Sequence, residues 1–480
     1  MAPLRVQELC RIAPPPSSAK SSFSLTFFDL LWLRLHPVER LFFFSVPHLN
    51  PSSFFHSIVP KLKRSLSLTL KHFLPLAGNI VWPSDSPKPI VLHTPGDAVS
   101  LAIAVSDCDF DQVLDKSPRD ASLSRAFVPN LDSSDSFASA ISLQITLFPY
   151  KGFCVGMSSH HACLDGKSST MFMKAWAYLC RTEAESESSG LLPQELEPCL
   201  DREVIVDPRG IGVAYINGWS GLDPTQNQKN QPLSLKILSG MFPPLVDDSA
   251  RAIFELKRGD LNKIKERVLL KWENHETKEE REDSSKLPKP PILSTFVLTT
   301  SYFLFCIAKA IDRSETKRKK KLLFCFFADC RTRLEHPISE NYFGNCVMSQ
   351  IIETQPEDFT DEDGVVIIAK KILRKIRKIQ KEKGALDGAE TLFSRRSSQS
   401  AEGNEVQYIA VAGSSRFGVY ETDFGCGRPE KVEITSADRG ITMAMAESKD
   451  GDGGVEVGLV LKKHVMDQFA SLFPAVLVSF

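Results

Sequence analysis

The sequence predicts an α/β protein of two domains, and three observations carry that expectation. Its 480 residues exceed what one ordinary hydrophobic core organises. Strand-like apolar runs interleave with segments of helical period in both halves. No unit of about 20–50 residues repeats, which removes solenoids and propellers. Hydrophobic residues make up 42% and charged residues 24%, enough apolar surface to close cores rather than leave a disordered chain.

In chain order, the aromatic-rich residues 25–32 read as buried strand material, as does the run 41–44 immediately after Arg40. Residues 54–73 carry helical periodicity and stop at Pro75-Leu76-Ala77-Gly78. Residues 141–147 alternate like a strand, and 153–157 form a short buried one. Met171, Phe172, Ala175, Trp176 and Leu179 then recur at helical intervals, with Ser168 as the expected cap and Cys180 near the end. A first domain is expected over 1–200, including the start of a crossover. A linker over 201–230 follows, because 183–198 is rich in Glu, Ser and Pro and no period is sustained to Asn230. The second domain, 231–480, opens with a strand at 252–256 and a helix at 258–272. The charged tract 274–289 reads as a solvated loop, and strands are expected at 322–328, 406–411, 442–446 and 455–461.

A formal net charge of −1 argues against an extended nucleic-acid partner. Eleven cysteines without a C-x-x-C pair, mostly in apolar surroundings, read as reduced packed thiols. Residues 1–24 carry Pro14, Pro15 and Pro16 but no long apolar core, so they do not read as a secretory signal. Residues 41–60 are broken by Pro47, Asn50 and Pro51. Residues 292–308 fall short of the ~20 needed to span a bilayer and are diluted with Ser and Thr. The expectation is a cytoplasmic monomer with no membrane partner.

Chemistry concentrates in Ser158-Ser159-His160-His161-Ala162-Cys163-Leu164-Asp165-Gly166. An alcohol attacking an acyl carbon must lose its proton, and a neutral imidazole of ordinary pKa near ~6.5 is suited to accept it. His161 is the candidate base. It lies with Asp165 at a strand-to-helix junction where α/β folds expose reactive groups, and Gly166 is expected to make a sharp turn. With 10 histidines the spacing alone is weak. A strand-end histidine, with Asp165 bonding a backbone amide, is the alternative. Other chemistries find less support. Gly413-Ser414-Ser415-Arg416-Phe417 lacks the closing glycine of a nucleophile elbow. His160, His161 and Cys163 have no second ligand pair for zinc, and neither a P-loop nor a dinucleotide fingerprint occurs.

Four ordered blocks together resemble the plant BAHD acyl-CoA-dependent acyltransferases over nearly the whole chain. They are Leu25-Thr26-Phe27-Phe28-Asp29, His161-Ala162-Cys163-Leu164-Asp165-Gly166, Asn341-Tyr342-Phe343-Gly344-Asn345-Cys346 and Asp423-Phe424-Gly425-Cys426-Gly427. The third is similar to a signature of the branch that acylates anthocyanins and other flavonoid or phenolic glycosides, often with malonyl groups. The resemblance implies two similar-sized chloramphenicol-acetyltransferase-like domains with a channel between them, and acyl-CoA as co-substrate with no bound cofactor or metal. It implies that His161 is the base, that Asp165 fixes its loop through an arginine, with Arg331 and Arg333 the nearest candidates, and that no acyl-enzyme forms. Asp423 reads as an anchor for the glycine-rich turn near the CoA entrance, in preference to a directly catalytic role; Phe424, Gly425 and Gly427 share that turn. Ser294 and Thr295 are candidates to line the CoA tunnel, with ordinary strand hydroxyls as the alternative. Lys167 is a candidate partner for a malonyl carboxylate, with a solvated lysine as the alternative. The chain departs from the family pattern at Cys426, where Trp is usual. That substitution favours the rival reading of a non-catalytic metabolite-binding relative, while an enzyme using an aromatic acyl-CoA is a second alternative.

Overall fold

Extended apolar segments from both halves assemble into two large sheets, with a small one beside them. The computed structural model describes residues 4–16, 19–182, 190–222, 234–238, 248–274, 291–314, 321–359, 363–380, 384–394 and 406–480. Among these, a six-stranded sheet runs Leu4–Ile12, Val99–Ser106, Ile141–Phe148, Gly152–Ser159, Val38–Ser45 and Lys431–Ile434. A seven-stranded sheet runs Val347–Thr354, Lys321–Asp329, Val406–Ser414, Ile441–Glu447, Val455–Lys462, Ser249–Leu256 and Arg119–Asp120. Val38–Ser45 is uninterruptedly apolar at 41–44 because each face meets a core. Phe42 and Phe44 join the main cluster, while Leu41 and Phe43 join a second one with Phe127 and Phe148.

Each large sheet ends in a strand lent by the other half of the chain. Lys431–Ile434 pairs antiparallel with Val38–Ser45, and Arg119–Asp120 pairs with Ser249–Leu256. Charge ties the two lent strands together: buried Glu433 meets Arg119 directly, Lys431 at 3.0 Å and Arg251 at 3.7 Å. Burial alone would raise the Glu433 pKa, but Arg251, Lys431 and Arg119 hold it well below the ordinary carboxylate range.

Several elements differ from the sequence reading. Residues 25–32 are not a strand: Phe27–Leu30 is a short helix after the strand Ser21–Ser24. Thr26 N and Oγ1 both donate to Asp29 Oδ2 at 2.8 Å, a capping arrangement that overrides the aromatic content. The segment expected to lack period holds the helix Ile211–Gly221, whose Trp219 Nε1 donates to Leu30 O at 2.7 Å. Residues 292–308 contribute to a 20-residue helix, Thr295–Ser314. That helix is long and apolar enough to cross a membrane, yet 72% of its apolar window is buried, packed against Arg258–Leu270, Gly364–Gln380 and Lys463–Val478. Its composition serves a core. Most of the charged tract, 275–290, lies outside the described residues. All eleven cysteines are free thiols.

Glu433→Ala leaves three cations facing one another in the interior. It should cost about 3–5 kcal/mol, read as a lowered thermal midpoint relative to the wild type.

Candidate active site

The strand Gly152–Ser159 delivers its last residue to a tight loop that ends at the helix Gly166–Thr182. His160 N bonds Ala140 O at 2.9 Å and Cys163 N bonds His160 O at 2.9 Å, so the loop cannot extend the strand. Asp165 caps the helix: its Oδ1 accepts from Ser168 N at 2.9 Å, which corrects the expectation that Ser168 is the cap. Gly166 is the first helical residue rather than a turn. A Cβ there would approach Phe417 Cε2 to 2.9 Å and Arg40 Nη2 to 3.3 Å, so close packing is what requires glycine.

Asp165 points away from His161 into a buried ion pair. Its Oδ2 lies 2.9 Å from Arg331 Nη2 and accepts from Cys346 N at 3.2 Å. Arg333 instead donates to the main-chain carbonyl of Asp329. Arg331 also donates to Tyr342 O at 3.0 Å and to Gly344 O at 3.3 Å. Burial would lower its pKa, but Asp165 and Asp329 hold it above the ordinary value.

The sequence reading missed the residue that grips His161 itself. Asn345 Nδ2 donates to His161 O at 2.8 Å and to Asp29 Oδ1 at 2.9 Å, and Asn345 N donates to the same Asp29 oxygen at 3.1 Å. Arg202 Nη1 reaches Asp29 Oδ2 at 3.3 Å and the Tyr342 hydroxyl at 3.0 Å. Arg40 completes the frame from the other side, donating to Thr170 Oγ1 at 2.7 Å and Gly166 O at 3.3 Å. Two of the four resemblance blocks thus hold a third in place: Asp29 and the 341–346 segment clamp the loop of His161. The local signal for Asp29 is the Thr26-x-x-Asp29 spacing. Asn345 and Arg202 have none.

The His161 ring is partly exposed and stacks on Trp32, with centroids 3.7 Å apart and planes 6° off parallel. Its Nδ1 is buried without a hydrogen-bond partner, which leaves Nε2 as the nitrogen a substrate can reach. For Nε2 to accept a proton the hydrogen must sit on Nδ1. Burial drives the pKa well below 6.5, opposed by the histidine's own backbone and by Asp165, so the imidazole is neutral at physiological pH. His160 is buried, lowered to about 4 by desolvation, and accepts from Ala162 N at 3.2 Å through Nδ1.

The other candidates separate by role. Asp423 Oδ1 accepts from Gly425 N at 2.8 Å and Gly427 N at 3.0 Å, so the carboxylate is engaged in the turn. Gly425 and Gly427 have φ of 92° and 95°, conformations that side chains resist. Phe424 is buried between Trp176 and Phe44, and half-buried Cys426 stands where the family pattern has Trp. Ser294 and Thr295 are not strand hydroxyls. Ser294 Oγ accepts from Val297 N at 3.4 Å at the head of the helix Thr295–Ser314. Thr295 lines a cavity of about 320 Å³ together with Phe296, Ser414, Arg416 and Gly453. Lys167 pairs with Glu340 and lies 4.0 Å from Asp329, so it is not simply solvated.

A half-buried histidine at a strand end, its carbonyl held by Asn345 and its loop by the Asp165–Arg331 pair, in a mixed α/β frame, is the arrangement of a group-transfer enzyme. Comparison with known proteins names the family. The Transferase family model matches residues 2–475. Phenolic glucoside malonyltransferase 1 of Arabidopsis thaliana is 39% identical across 98% of this chain and 97% of its own length. Malonyl-CoA:anthocyanidin 5-O-glucoside-6''-O-malonyltransferase of the same plant is 37% identical, with 98% and 97% covered. Among solved structures, vinorine synthase shares the fold at a TM-score of 0.65 and 16% identity, covering 99% of this chain and 98% of its own. F. sporotrichioides TRI101 complexed with coenzyme A and T-2 does so at 0.63 and 15%, covering 93% and 96%. The chain belongs to the Transferase family, the BAHD acyltransferases, and is an enzyme that uses a CoA thioester as co-substrate.

Asn345→Ala releases the His161 carbonyl and removes one of the five hydrogen bonds to the Asp29 carboxylate. It should lower kcat by about ten- to a hundredfold through misplacement of the base, measured in steady state on protein shown by circular dichroism to be folded.

Proposed function

We propose that this enzyme transfers a malonyl group from malonyl-CoA to a sugar hydroxyl of a phenolic or flavonoid glucoside, with His161 as general base. One observation carries the chemical part: a neutral imidazole with an accessible Nε2, its carbonyl held by Asn345 and its loop by the buried Asp165–Arg331 pair. The donor and acceptor are supported by the names of relatives at 37% and 39% identity over nearly full length.

His161 Nε2 takes the proton as the acceptor oxygen bonds to the thioester carbonyl carbon. The tetrahedral intermediate then re-forms its C=O bond and breaks the C–S bond, expelling CoA thiolate. The thiolate recovers the proton from the imidazolium, which returns neutral for the next cycle. No bond to the enzyme forms at any step. Asp165 keeps the loop rigid, and Asp423 shapes the turn that faces the donor with Gly425 and Gly427. Ser294 and Thr295 line the donor side. Engagement of Lys167 with Glu340 weakens its assignment to the malonyl carboxylate. The reading also takes 1–200 and 231–480 as two domains joined by 201–230, and the enzyme as a cytoplasmic monomer.

Purified protein given malonyl-CoA and a panel of phenolic glucosides should release CoA and add one malonyl mass to the glucoside. Silence across the panel would favour a non-catalytic binding protein. His161→Ala should lose about 10²–10⁴-fold in turnover while retaining CoA binding by calorimetry; retained activity removes the base. Because the folded-state pKa of His161 lies below 6.5, the acid limb of kcat/KM should fall below pH 6.5. The unfolded chain binds that proton first as pH drops, so this group withdraws stability below 6.5, and the profile requires pre-incubation controls.

A further inference from the structure

The strand Lys321–Asp329 has two unlike faces. Phe324 and Phe326 are buried, with Phe326 against Phe296 of the helix Thr295–Ser314, and Ile352 opposite Phe324 and Met348 opposite Ala328 are buried too. The opposite face is open at its Phe327 end and mostly apolar, while at the other end Leu323 is buried and the exposed Glu353 lies opposite it. Phe327 is 36% exposed and Ile351, paired with Cys325, is 37% exposed. Tyr408, paired with Leu323 on the other neighbouring strand, is 44% exposed. Alternation along strands puts positions 323, 325 and 327 with 351 and 408 on one face, extending roughly 13 Å at about 3.3 Å per residue.

This face is continuous with the catalytic base. Phe327 meets Trp32 with centroids 5.0 Å apart, and Trp32 stacks on His161 at 3.7 Å. Two ring contacts therefore separate the base from the start of the shelf. Exposed aromatic and aliphatic groups adjoining a reactive site bind planar apolar surfaces.

We infer that the Phe327–Ile351–Tyr408 face is the shelf on which the aromatic aglycone of the acceptor lies, with its sugar hydroxyl directed at His161. The inference rests on the glycoside reading above and assigns the part of the protein that selects an aryl over an alkyl glucoside. Phe327 is a specificity-determining residue and moves no proton.

The test compares 1-naphthyl β-glucoside with methyl β-glucoside at saturating malonyl-CoA. In the wild type kcat/KM favours the naphthyl compound, and Phe327→Ala should reduce that preference about tenfold, the loss of one ring-on-ring contact. Phe327→Tyr should restore it, and Tyr408→Ala should reduce it by a smaller factor. Equal losses for both glucosides, or no change in their ratio, would overturn the shelf. If the wild type transfers no acyl group, the proposed function fails, and calorimetric binding of the two glucosides decides the shelf alone. Tighter naphthyl binding that Phe327→Ala abolishes supports it; equal binding sinks it.

Discussion

The buried pairing of Asp165 with Arg331 is the contact on which the site depends. It joins a loop in the first half of the chain to a segment in the second, and both side chains are almost fully out of water. Taking two such charges from solvent is expensive, so the pair contributes little net stability by itself. Its value is positional. Losing either partner strands a charge in the interior, and the loop carrying His161 then has no low-energy place to sit. The neighbouring Asp29, Asn345 and Arg202 repeat the device with a second carboxylate, a second guanidinium and an amide that reaches the His161 carbonyl.

That architecture gives the 341–346 block a physical meaning. Tyr342, Gly344, Asn345 and Cys346 all contribute main-chain or side-chain bonds to the loop or its anchors, and none of these bonds involves a reacting atom. Gly344 is held so close to Arg202 that a Cβ would lie 1.9 Å from Nη1. A block can thus mark a branch of enzymes through the support it gives the base, without any contact with substrate.

What was legible in the sequence tracks the range of the interaction concerned. The strands Ile141–Phe148, Gly152–Ser159 and Val455–Lys462 were readable because period and burial are local properties. His161 and Asp165 were readable as a motif, and Arg331 as one of two candidates. Asn345 and Arg202 were not, since their bonds span 184 and 173 residues and leave no trace in spacing. Residues 25–32 failed for another reason: aromatic content pointed to a strand while the Thr26–Asp29 cap pointed to a helix, and the cap won. The helix Gly364–Gln380 went unassigned although Val365, Ile368, Ala369 and Ile372 mark one buried face, because lysines and arginines crowd its later turns, at 370, 371, 374, 375, 377 and 378.

The exchange of strands between the sheets bears on biosynthesis. Val38–Ser45 emerges early from the ribosome, yet one of its two neighbours, Lys431–Ile434, is among the last segments made. During translation that early strand offers an unpaired apolar edge, open to other nascent chains. The finished enzyme is closed by its own tail end, and a chain truncated before residue 431 would remain adhesive however well its first half had folded.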